Sequence, residues 1–224
     1  MGSSSKCRIA IVTPTRGDRP LFTEQYHNII KNQTVQPDEI IIVDYEPIST
    51  EKDLSTRYRK GIEEAVKRKC NVVFLWEDDD WYHPDYIKWM ISEWEKQGKP
   101  DVLGVEETYY YHLKINKYVH IKHGGRSSAF CVLLKLPYKY SYPPDNCIWF
   151  DLHLFKQRAQ KFLKTKTIKF NKKIYAIGIK HGTGITGGSG HKASSWYKKN
   201  GNAWLKENCS DNEIYNKISK QLPK

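Results

Sequence analysis

Four acidic residues stand side by side in the segment WEDDDW, at Glu77–Asp80. Neighbouring carboxylates repel one another, and the repulsion grows where they are withdrawn from water. A hard divalent cation would neutralise them, because Mg²⁺ and Mn²⁺ prefer oxygen ligands. The alternative is a solvated acidic turn before the next helix, with Asp85 near the helix N-terminus. Because the acidic run directly follows the apolar segment NVVFLW, its position favours the metal site.

Three apolar segments of the first half have the pattern of strands buried in a parallel sheet. They are CRIAIVT, EIIIVDY and NVVFLW. Amphipathic helices are predicted in PLFTEQYHNIIKNQ, from Asp53 to about Lys69, and in YIKWMISEWEKQ. This order predicts an α/β fold with a Rossmann-like, mostly parallel central sheet and helices on both faces. Since the carboxyl ends of parallel strands meet at one edge, Thr13–Arg16, Asp44 and Glu77–Asp80 are expected to share a crevice.

The second half is predicted to continue the same domain, so that residues 7–110 and 111–224 form two halves of one unit. A β-hairpin is expected around Ile115-Asn116-Lys117, and further strands in AFCVLLK, TIKF and IYAIGIK. A helix from about Asp151 to Leu163 is expected before a polar helical tail. Its inward-facing residues are predicted to be Leu152, Phe155, Ala159, Phe162 and Leu163.

Several classes of protein are disfavoured by what the chain lacks. The first turn has no G-x-G-x-x-G and there is no Walker sequence, so a nucleotide site would be built from side chains. The five scattered cysteines form no C-x-x-C pair, which argues against a disulfide framework or a zinc site. No apolar run approaches the roughly 20 residues of a membrane helix. MGSSSK lacks the apolar core of a signal peptide, residues 1–5 are interpreted as a cloning remnant, and a cytoplasmic protein is expected.

Three segments, in order and with intact spacing, resemble the inverting family 2 glycosyltransferases of GT-A fold. They are IAIVTPTRGDRP, KNQTVQPDEIIIVDYEP and STRYRKGIEEAVKRKCNVVFLWEDDDWYHPDYI, and together they cover about residues 8–90. The resemblance implies a nucleotide-diphospho-sugar transferase fold of GT-A type. It also implies an inverting sugar transfer from a nucleotide sugar, most often a UDP-sugar, with Mn²⁺ or Mg²⁺ as cofactor.

The resemblance also implies roles for individual residues. Asp79 would hold the metal, and His181 would complete the metal site; His191 is a weaker candidate, and the alternative for His181 is a structural histidine. Two positions depart from the family pattern, because Glu77 replaces the usual first Asp and Tyr45 replaces the second Asp of "VDD". The residues implied in nucleotide-sugar binding are Thr13, Thr15, Arg16, Asp44, Arg57, Asp78 and Arg126.

An inverting transfer needs a general base that deprotonates the acceptor hydroxyl. The family has an acidic residue at the start of a late helix, and Asp151 matches that context. The alternative for Asp151 is helix N-capping, and Asp145 is the second candidate for the base. The glycine-rich stretch GTGITGGSG is expected to close over the nucleotide sugar, with Lys180 and Lys192 near its phosphates.

The net charge of +12 is divided unevenly along the chain. Residues 1–110 carry 15 Lys and Arg against 20 Asp and Glu, whereas residues 111–224 carry 22 against 5. A polyanionic acceptor is therefore expected for the second half, with a preference for a hydroxymethylated base in DNA, as a phage or viral enzyme would modify. The basic candidates are Lys161, Lys164, Lys166, Lys169, Lys172, Lys173 and the segment Trp196-Tyr197-Lys198-Lys199.

Other interpretations remain open at this point. The acceptor of a glycosyltransferase is more often a glycan or glycolipid, whose sugar faces also stack on aromatic rings. A different class is a catalytically inactive nucleic-acid-binding module, and a third is a nucleotidyltransferase, which the missing glycine-rich first loop disfavours. The lysine excess is also compatible with no role in binding.

Overall fold

The computed structural model describes residues 7–15, 19–45, 53–147, 149–182, 197 and 201–222. The elements of the first half are β1 Ile9–Pro14, α1 Pro20–Lys31, β2 Glu39–Val43, α2 Leu54–Lys67, β3 Val72–Leu75, β4 Trp81–Tyr82, α3 Tyr86–Lys96, β5 Val102–Val105 and β6 Glu107–His112. Those of the second half are β7 Lys117–Lys122, β8 Val132–Lys135, α4 Phe150–Leu154, α5 Gln157–Gln160, β9 Thr165–Ile168, β10 Ala176–Lys180, α6 Gly201–Asn208 and α7 Asn212–Gln221.

The central sheet has six strands in the order β2-β1-β3-β8-β5-β9. Strand β1 pairs in parallel with β2 and β3, and β5 pairs in parallel with β9. Only β8 runs the other way, antiparallel to both β3 and β5. The prediction of an α/β fold with a mostly parallel central sheet is therefore confirmed. The register pairs Val12 with Leu75, so that the chain leaves β1 and β3 at the same edge.

A second sheet of four strands, in the order β4-β10-β6-β7, was not predicted. The expected hairpin is its β6–β7 pair. Strand β10 lies parallel to β6 and antiparallel to β4, with Ile177 opposite Trp81. Because Trp81 directly follows the acidic run Glu77–Asp80, this pairing carries the end of β10 to the carboxylates.

Apolar side chains cover both faces of the central sheet. One core cluster includes Ile11 and Phe74 with residues of α1, α3 and α7, and the other includes Val12 and Leu75 with residues of α2, α4 and α5. Helix α2 lies close to β1 at Gly61, where a Cβ atom would come 2.3 Å from Val12 Cγ1. The helices thus fix the strand ends from which the site is built. None of the described helices is both long and apolar enough to cross a membrane.

The helix expected from Asp151 to Leu163 is instead two short helices, α4 and α5. The break comes at Lys156, whose backbone is extended with φ −68° and ψ 146°. The inward orientation predicted for Phe162 was wrong, because the side chain lies beyond the end of α5 and is 67% exposed. Its ring packs on Tyr140 at the surface, with 5.7 Å between the ring centroids. The expected strand AFCVLLK is likewise shortened to β8, after a 3₁₀ turn at Ala129–Cys131.

Candidate functional site

Four of the predicted site residues meet where three strands end. Thr15 follows β1, Asp78 and Asp79 follow β3, and His181 follows β10. The Thr15 hydroxyl donates to Asp78 Oδ2 at 2.7 Å, and His181 Nε2 lies 2.8 Å from Asp79 Oδ2. The His181 side chain is completely buried, and the two aspartates are nearly so. These contacts form two polar pairs on neighbouring aspartates at the carboxyl edge of the sheet, as expected for a ligand site in an open α/β fold.

Arg19 joins these two pairs, although the sequence did not single it out. Its guanidinium bridges two carboxylates, with Nη2 2.5 Å from Asp78 Oδ1 and Nη1 2.6 Å from Asp79 Oδ2. Nη1 also lies 3.2 Å from His181 Nε2. The residue predicted from this loop was Arg16, which lies outside the described residues. The sequence feature that could have indicated Arg19 is its position directly before Pro20. Proline is favoured at the first position of a helix, which places Arg19 at the N-terminus of α1.

Lys180, the last residue of β10, is buried against the same acidic run. Burial alone lowers the pKa of Lys180, but the carboxylates of Asp80 and Glu77 more than offset this and raise it above its ordinary value. Lys180 was expected near phosphates at the base of the glycine-rich stretch. Within the described residues its charge is balanced by the protein's own carboxylates, and its proximity to phosphates stays a prediction.

Asp80 uses only one of its two carboxylate oxygens. Oδ1 accepts a hydrogen bond from the backbone N–H of Ile179 at 2.7 Å, whereas Oδ2 is buried and has no hydrogen-bond partner among the described residues. Ligand oxygens of Glu77, Asp79 and Asp80 all lie within 4.8 Å of one another. We call Glu77–Asp80, together with Arg19 and Lys180, the carboxylate cluster. An unpartnered buried oxygen beside two further carboxylates is a donor set suited to a hard cation.

The charges of the carboxylate cluster also fit a divalent cation. Burial raises the pKa of Glu77 to about 7, and burial also raises the pKa of Asp80 well above its ordinary value. Burial and the charge of Asp79 raise the pKa of Asp78; burial also acts to raise the pKa of Asp79, but Arg19 and His181 hold it below its ordinary value. If all four carboxyl groups were ionised, the two cations Arg19 and Lys180 would leave two negative charges unbalanced, and the raised pKa values of Glu77 and Asp80 reflect the cost of those charges in the absence of a further cation. One divalent cation would compensate both, and the residues therefore fit such an ion.

Asp151 lies in the first turn of α4, close enough to the carboxylate cluster for its charge to raise the pKa of Glu77. Burial raises the pKa of Asp151 itself to about 6, although backbone N–H groups and the charge of Arg126 act against the shift. The helix begins at Phe150 and the cap position belongs to Trp149, so Asp151 is not the N-cap residue. Asp145, the second candidate, is exposed and pairs with Arg59 at 3.0 Å.

Arg57 is almost completely buried and forms hydrogen bonds at the ends of two strands. Nη1 donates to the backbone oxygens of Thr15 at 2.6 Å and Val43 at 3.1 Å, and Nε pairs with Asp53 at 2.9 Å. The guanidinium carbon lies 4.3 Å from the centre of the Tyr45 ring. Nη2 is buried without a hydrogen-bond partner among the described residues. A buried cationic donor without a partner is costly, and a bound acceptor group would satisfy it.

The remaining predicted residues lie apart from the carboxylate cluster. Thr13 is buried, and its hydroxyl shares a 2.7 Å hydrogen bond with the Tyr26 hydroxyl of α1. Asp44 and Arg126 are exposed. Tyr197 is buried, so it is not the exposed stacking ring that its segment suggested. The residues of the sequence predictions that fall outside the described part are Arg16, His191, Lys192, Trp196, Lys198, Lys199 and 183–190.

Comparison with known proteins identifies the type of fold. No protein-family model matches the chain, and no curated protein matches it. S. aureus TarS 1-349 in complex with UDP-GlcNAc aligns with a TM-score of 0.58 at 13% identity, over 83% of this chain and 62% of that one. TarS 1-349 alone aligns with a TM-score of 0.54 at 11% identity, over 77% and 60%. A197 from STIV aligns with a TM-score of 0.49 at 13% identity, over 72% and 82%.

The chain therefore spans about three fifths of the TarS chains that it matches. At these identities the likeness concerns the fold and not the activity. It agrees with the parallel strands β1, β2 and β3 and with the polar group at their carboxyl ends. The protein has a nucleotide-diphospho-sugar transferase fold of GT-A type.

Proposed function

We propose that this protein is a metal-dependent inverting glycosyltransferase that transfers a sugar from a UDP-sugar to an acceptor hydroxyl. The observation that carries the proposal is the group of Thr15, Asp78, Asp79 and His181, joined by Arg19, at the strand ends of a GT-A type fold. The solved TarS complexes with UDP-GlcNAc and with UDP support a uridine nucleotide as the donor.

The donor would bind along the edge formed by β1, β2 and β3. Asp78, oriented by the Thr15 hydroxyl, offers a carboxylate to the ribose hydroxyls. Arg57 offers the buried Nη2 donor, which has no hydrogen-bond partner among the described residues, beside the Tyr45 ring. Thr13, Arg16, Asp44 and Arg126 complete the proposed donor-binding set. Side chains would thus bind the nucleotide, which glycine-rich loops do in other nucleotide sites.

Mn²⁺ or Mg²⁺ would be held by Asp79 and His181, next to Glu77 and Asp80. A bound divalent ion supplies the positive charge that stabilises the departing diphosphate. Arg19 holds the carboxylates of Asp78 and Asp79 in fixed orientation through its two short contacts. Lys180 offsets part of the negative charge of Glu77, Asp79 and Asp80 and so favours their ionised forms.

Asp151 would act as the general base. Its raised pKa of about 6 leaves it ionised at neutral pH and basic enough to accept a proton from the acceptor hydroxyl. The hydroxyl oxygen then forms a bond to the anomeric carbon as the bond from that carbon to the diphosphate oxygen breaks. A single displacement of this kind inverts the anomeric configuration.

The acceptor is proposed to be a polyanion, with a hydroxymethylated base in DNA preferred. The support is the excess of 22 basic over 5 acidic residues in 111–224, with Lys161, Lys164 and Lys166 exposed to solvent. A glycan or glycolipid acceptor is the alternative substrate. A nucleic-acid-binding protein without transfer activity is the alternative of another class.

The test is a transfer assay with Mn²⁺ that pairs UDP-sugars with hydroxymethylated DNA and with glycans. For Asp151→Asn we expect donor binding to persist while transfer falls about 10²- to 10⁴-fold, the usual contribution of a general base. The matched control is Asp145→Asn, which should keep full activity. An equal loss of donor binding in Asp151→Asn would make the residue structural, and no turnover of any donor would refute the enzyme.

A further inference from the structure

A cleft of about 530 Å³ opens beside α4 and α5, on the surface of the basic half. Its lining includes three cationic side chains, a histidine and two aromatic rings, and no acidic residue. We call it the α4–α5 cleft and define it by Lys139, Tyr140, His153, Lys156, Arg158 and Phe162.

The cations of the α4–α5 cleft are not used by the protein itself. Lys139, Lys156 and Arg158 are exposed, and none of them makes an ion pair in the described part of the chain. Two other lysines of this half are paired, since Lys169 contacts Glu106 at 3.1 Å and Lys173 contacts Asp85 at 3.6 Å. The unpaired cations of the cleft therefore present a positive surface to an anionic ligand.

The aromatic side chains of the cleft are placed for stacking. The planes of the Phe162 and Tyr140 rings are inclined at 26° with centroids 5.7 Å apart, and the His153 ring centroid lies 5.3 Å from that of Tyr140. Phe162 is 67% exposed, and the other strongly exposed aromatic side chain among the described residues is Trp149, at the start of α4. Exposure of an apolar phenyl ring to water is unfavourable, and burial of its face against a flat ligand lowers the free energy.

We propose that the α4–α5 cleft binds single-stranded nucleic acid, with an unpaired base stacked on Phe162 and Tyr140. The phosphates would pair with Lys139, Lys156 and Arg158. Flat aromatic faces among cations are the combination that holds bases and phosphates together in single-stranded nucleic acid. An anionic glycan, whose sugar faces also stack on aromatic rings, is the alternative that the experiment must separate.

A role for this binding in sugar transfer rests on the proposed function. Helix α4 carries both Asp151, the proposed base, and His153, which lines the cleft. A strand held in the cleft would thus run beside the helix that holds the base. A base extruded from a duplex would meet the same surface, because extrusion leaves it unpaired. The binding itself, however, can be measured without any transfer.

The experiment measures fluorescence anisotropy of a labelled 12-nucleotide oligothymidylate with the full chain over a series of salt concentrations. Phe162→Ala should weaken binding about five-fold or more, as expected for the loss of one stacked base, and Phe162→Trp should restore it. Lys156→Gln with Arg158→Gln should flatten the slope of log affinity against log salt by about 1.4, or 0.7 per lost phosphate contact. The matched control is Lys31→Gln with Lys88→Gln on α1 and α3.

Several outcomes would overturn the proposal. One is an affinity that Phe162→Ala leaves unchanged, and another is a control pair that flattens the salt slope as much as the cleft pair. A third is heparin that binds more tightly than the oligonucleotide and does not depend on Phe162, which would identify an anionic-glycan surface. Thermal unfolding of each variant excludes misfolding, and exposed Phe162 can be truncated without opening the core.

A parallel measurement of UDP-sugar hydrolysis separates this inference from the proposed function. Cleft-dependent oligonucleotide binding without donor turnover would support the cleft and contradict the transferase. Donor turnover without cleft-dependent binding would support the transferase and contradict the cleft.

Discussion

The carboxylate cluster and the α4–α5 cleft both contain cations, but the protein uses these cations in opposite ways. In the carboxylate cluster Arg19 and Lys180 lie against Glu77–Asp80, and each offsets charge that the fold itself has buried. In the α4–α5 cleft Lys156 and Arg158 face solvent and make no ion pair among the described residues. The net charge of +12 adds these two kinds of cation together.

The difference follows from the cost of desolvation. A buried charge must be paired, whereas an exposed lysine remains solvated at almost no cost. Removal of a cation from the carboxylate cluster should therefore change stability and catalysis. Removal of a cation from the cleft should change ligand binding and leave stability nearly unchanged.

The largest effect is expected for Asp79→Ala. This change removes the carboxylate that contacts both Arg19 and His181, so that the proposed metal site loses its central ligand. Metal-dependent transfer should fall about 10³-fold, which is typical when a major electrostatic contribution to the transition state is removed. Initial rates over a range of Mn²⁺ concentrations measure it, with Glu24→Gln on the exposed face of α1 as control. Full metal-dependent turnover in Asp79→Ala would show that the site assignment is wrong.

The next effect concerns stability. Lys180→Met removes a buried cation and leaves the carboxylates of Glu77 and Asp80 without compensation. The free energy of unfolding should fall by on the order of 3 kcal/mol, as it does when one partner of a buried ion pair is lost. Urea unfolding at neutral pH measures it.

The control for Lys180→Met is Lys169→Met, because the Lys169 side chain is 70% exposed and its ion pair with Glu106 lies at the surface. It should cost less than about 1 kcal/mol. An equal loss in the free energy of unfolding for the two variants would contradict the distinction between the cations of the carboxylate cluster and the exposed cations.

A moderate effect is expected in the pH dependence of transfer. Asp151 must be deprotonated to act as a base, and burial raises its pKa to about 6. The value of kcat/KM should therefore rise about ten-fold per pH unit below that pKa and level off above it. The charged groups near Asp151 are Glu77 and Arg126, and the Tyr58 hydroxyl also lies within range of its charge. If the residual activity of Asp151→Asn kept the same acidic limb, another group would be the base.

Most of the first half of the fold could be predicted from the sequence, because its strands are continuous apolar runs with clear helical patterns between them. Strands β1, β2 and β3 and helices α1, α2 and α3 were all expected. The second sheet was not, since β4 has only two residues and its pairing with β10 joins segments about 95 positions apart. Short strands that pair over long distances carry little local signal.

The site shows the same division between local and long-range information. Thr15, Asp78 and Asp79 follow predicted strands, so their meeting could be inferred from the parallel topology. The burial of Lys180 could not, because an isolated lysine at the end of a strand is usually solvated. Arg19 was missed for a similar reason, since the two carboxylates that it contacts lie 59 and 60 positions further along the chain.

The smallest effect is expected for Arg126, which has properties of both kinds of cation. Arg126 is exposed, yet its charge lowers the pKa of Asp151. Arg126→Gln should therefore move the acidic limb of the kcat/KM profile to higher pH by less than about one unit, separately from a pH-independent loss of kcat/KM through the proposed donor contact of Arg126. Added salt should reduce the shift, because exposed charges are screened. Lys135→Gln, an exposed position on β8, serves as control. A larger, salt-insensitive shift would mean that Arg126 acts as a cation of the site like Arg19, and solvent exposure would then not separate the two kinds of cation.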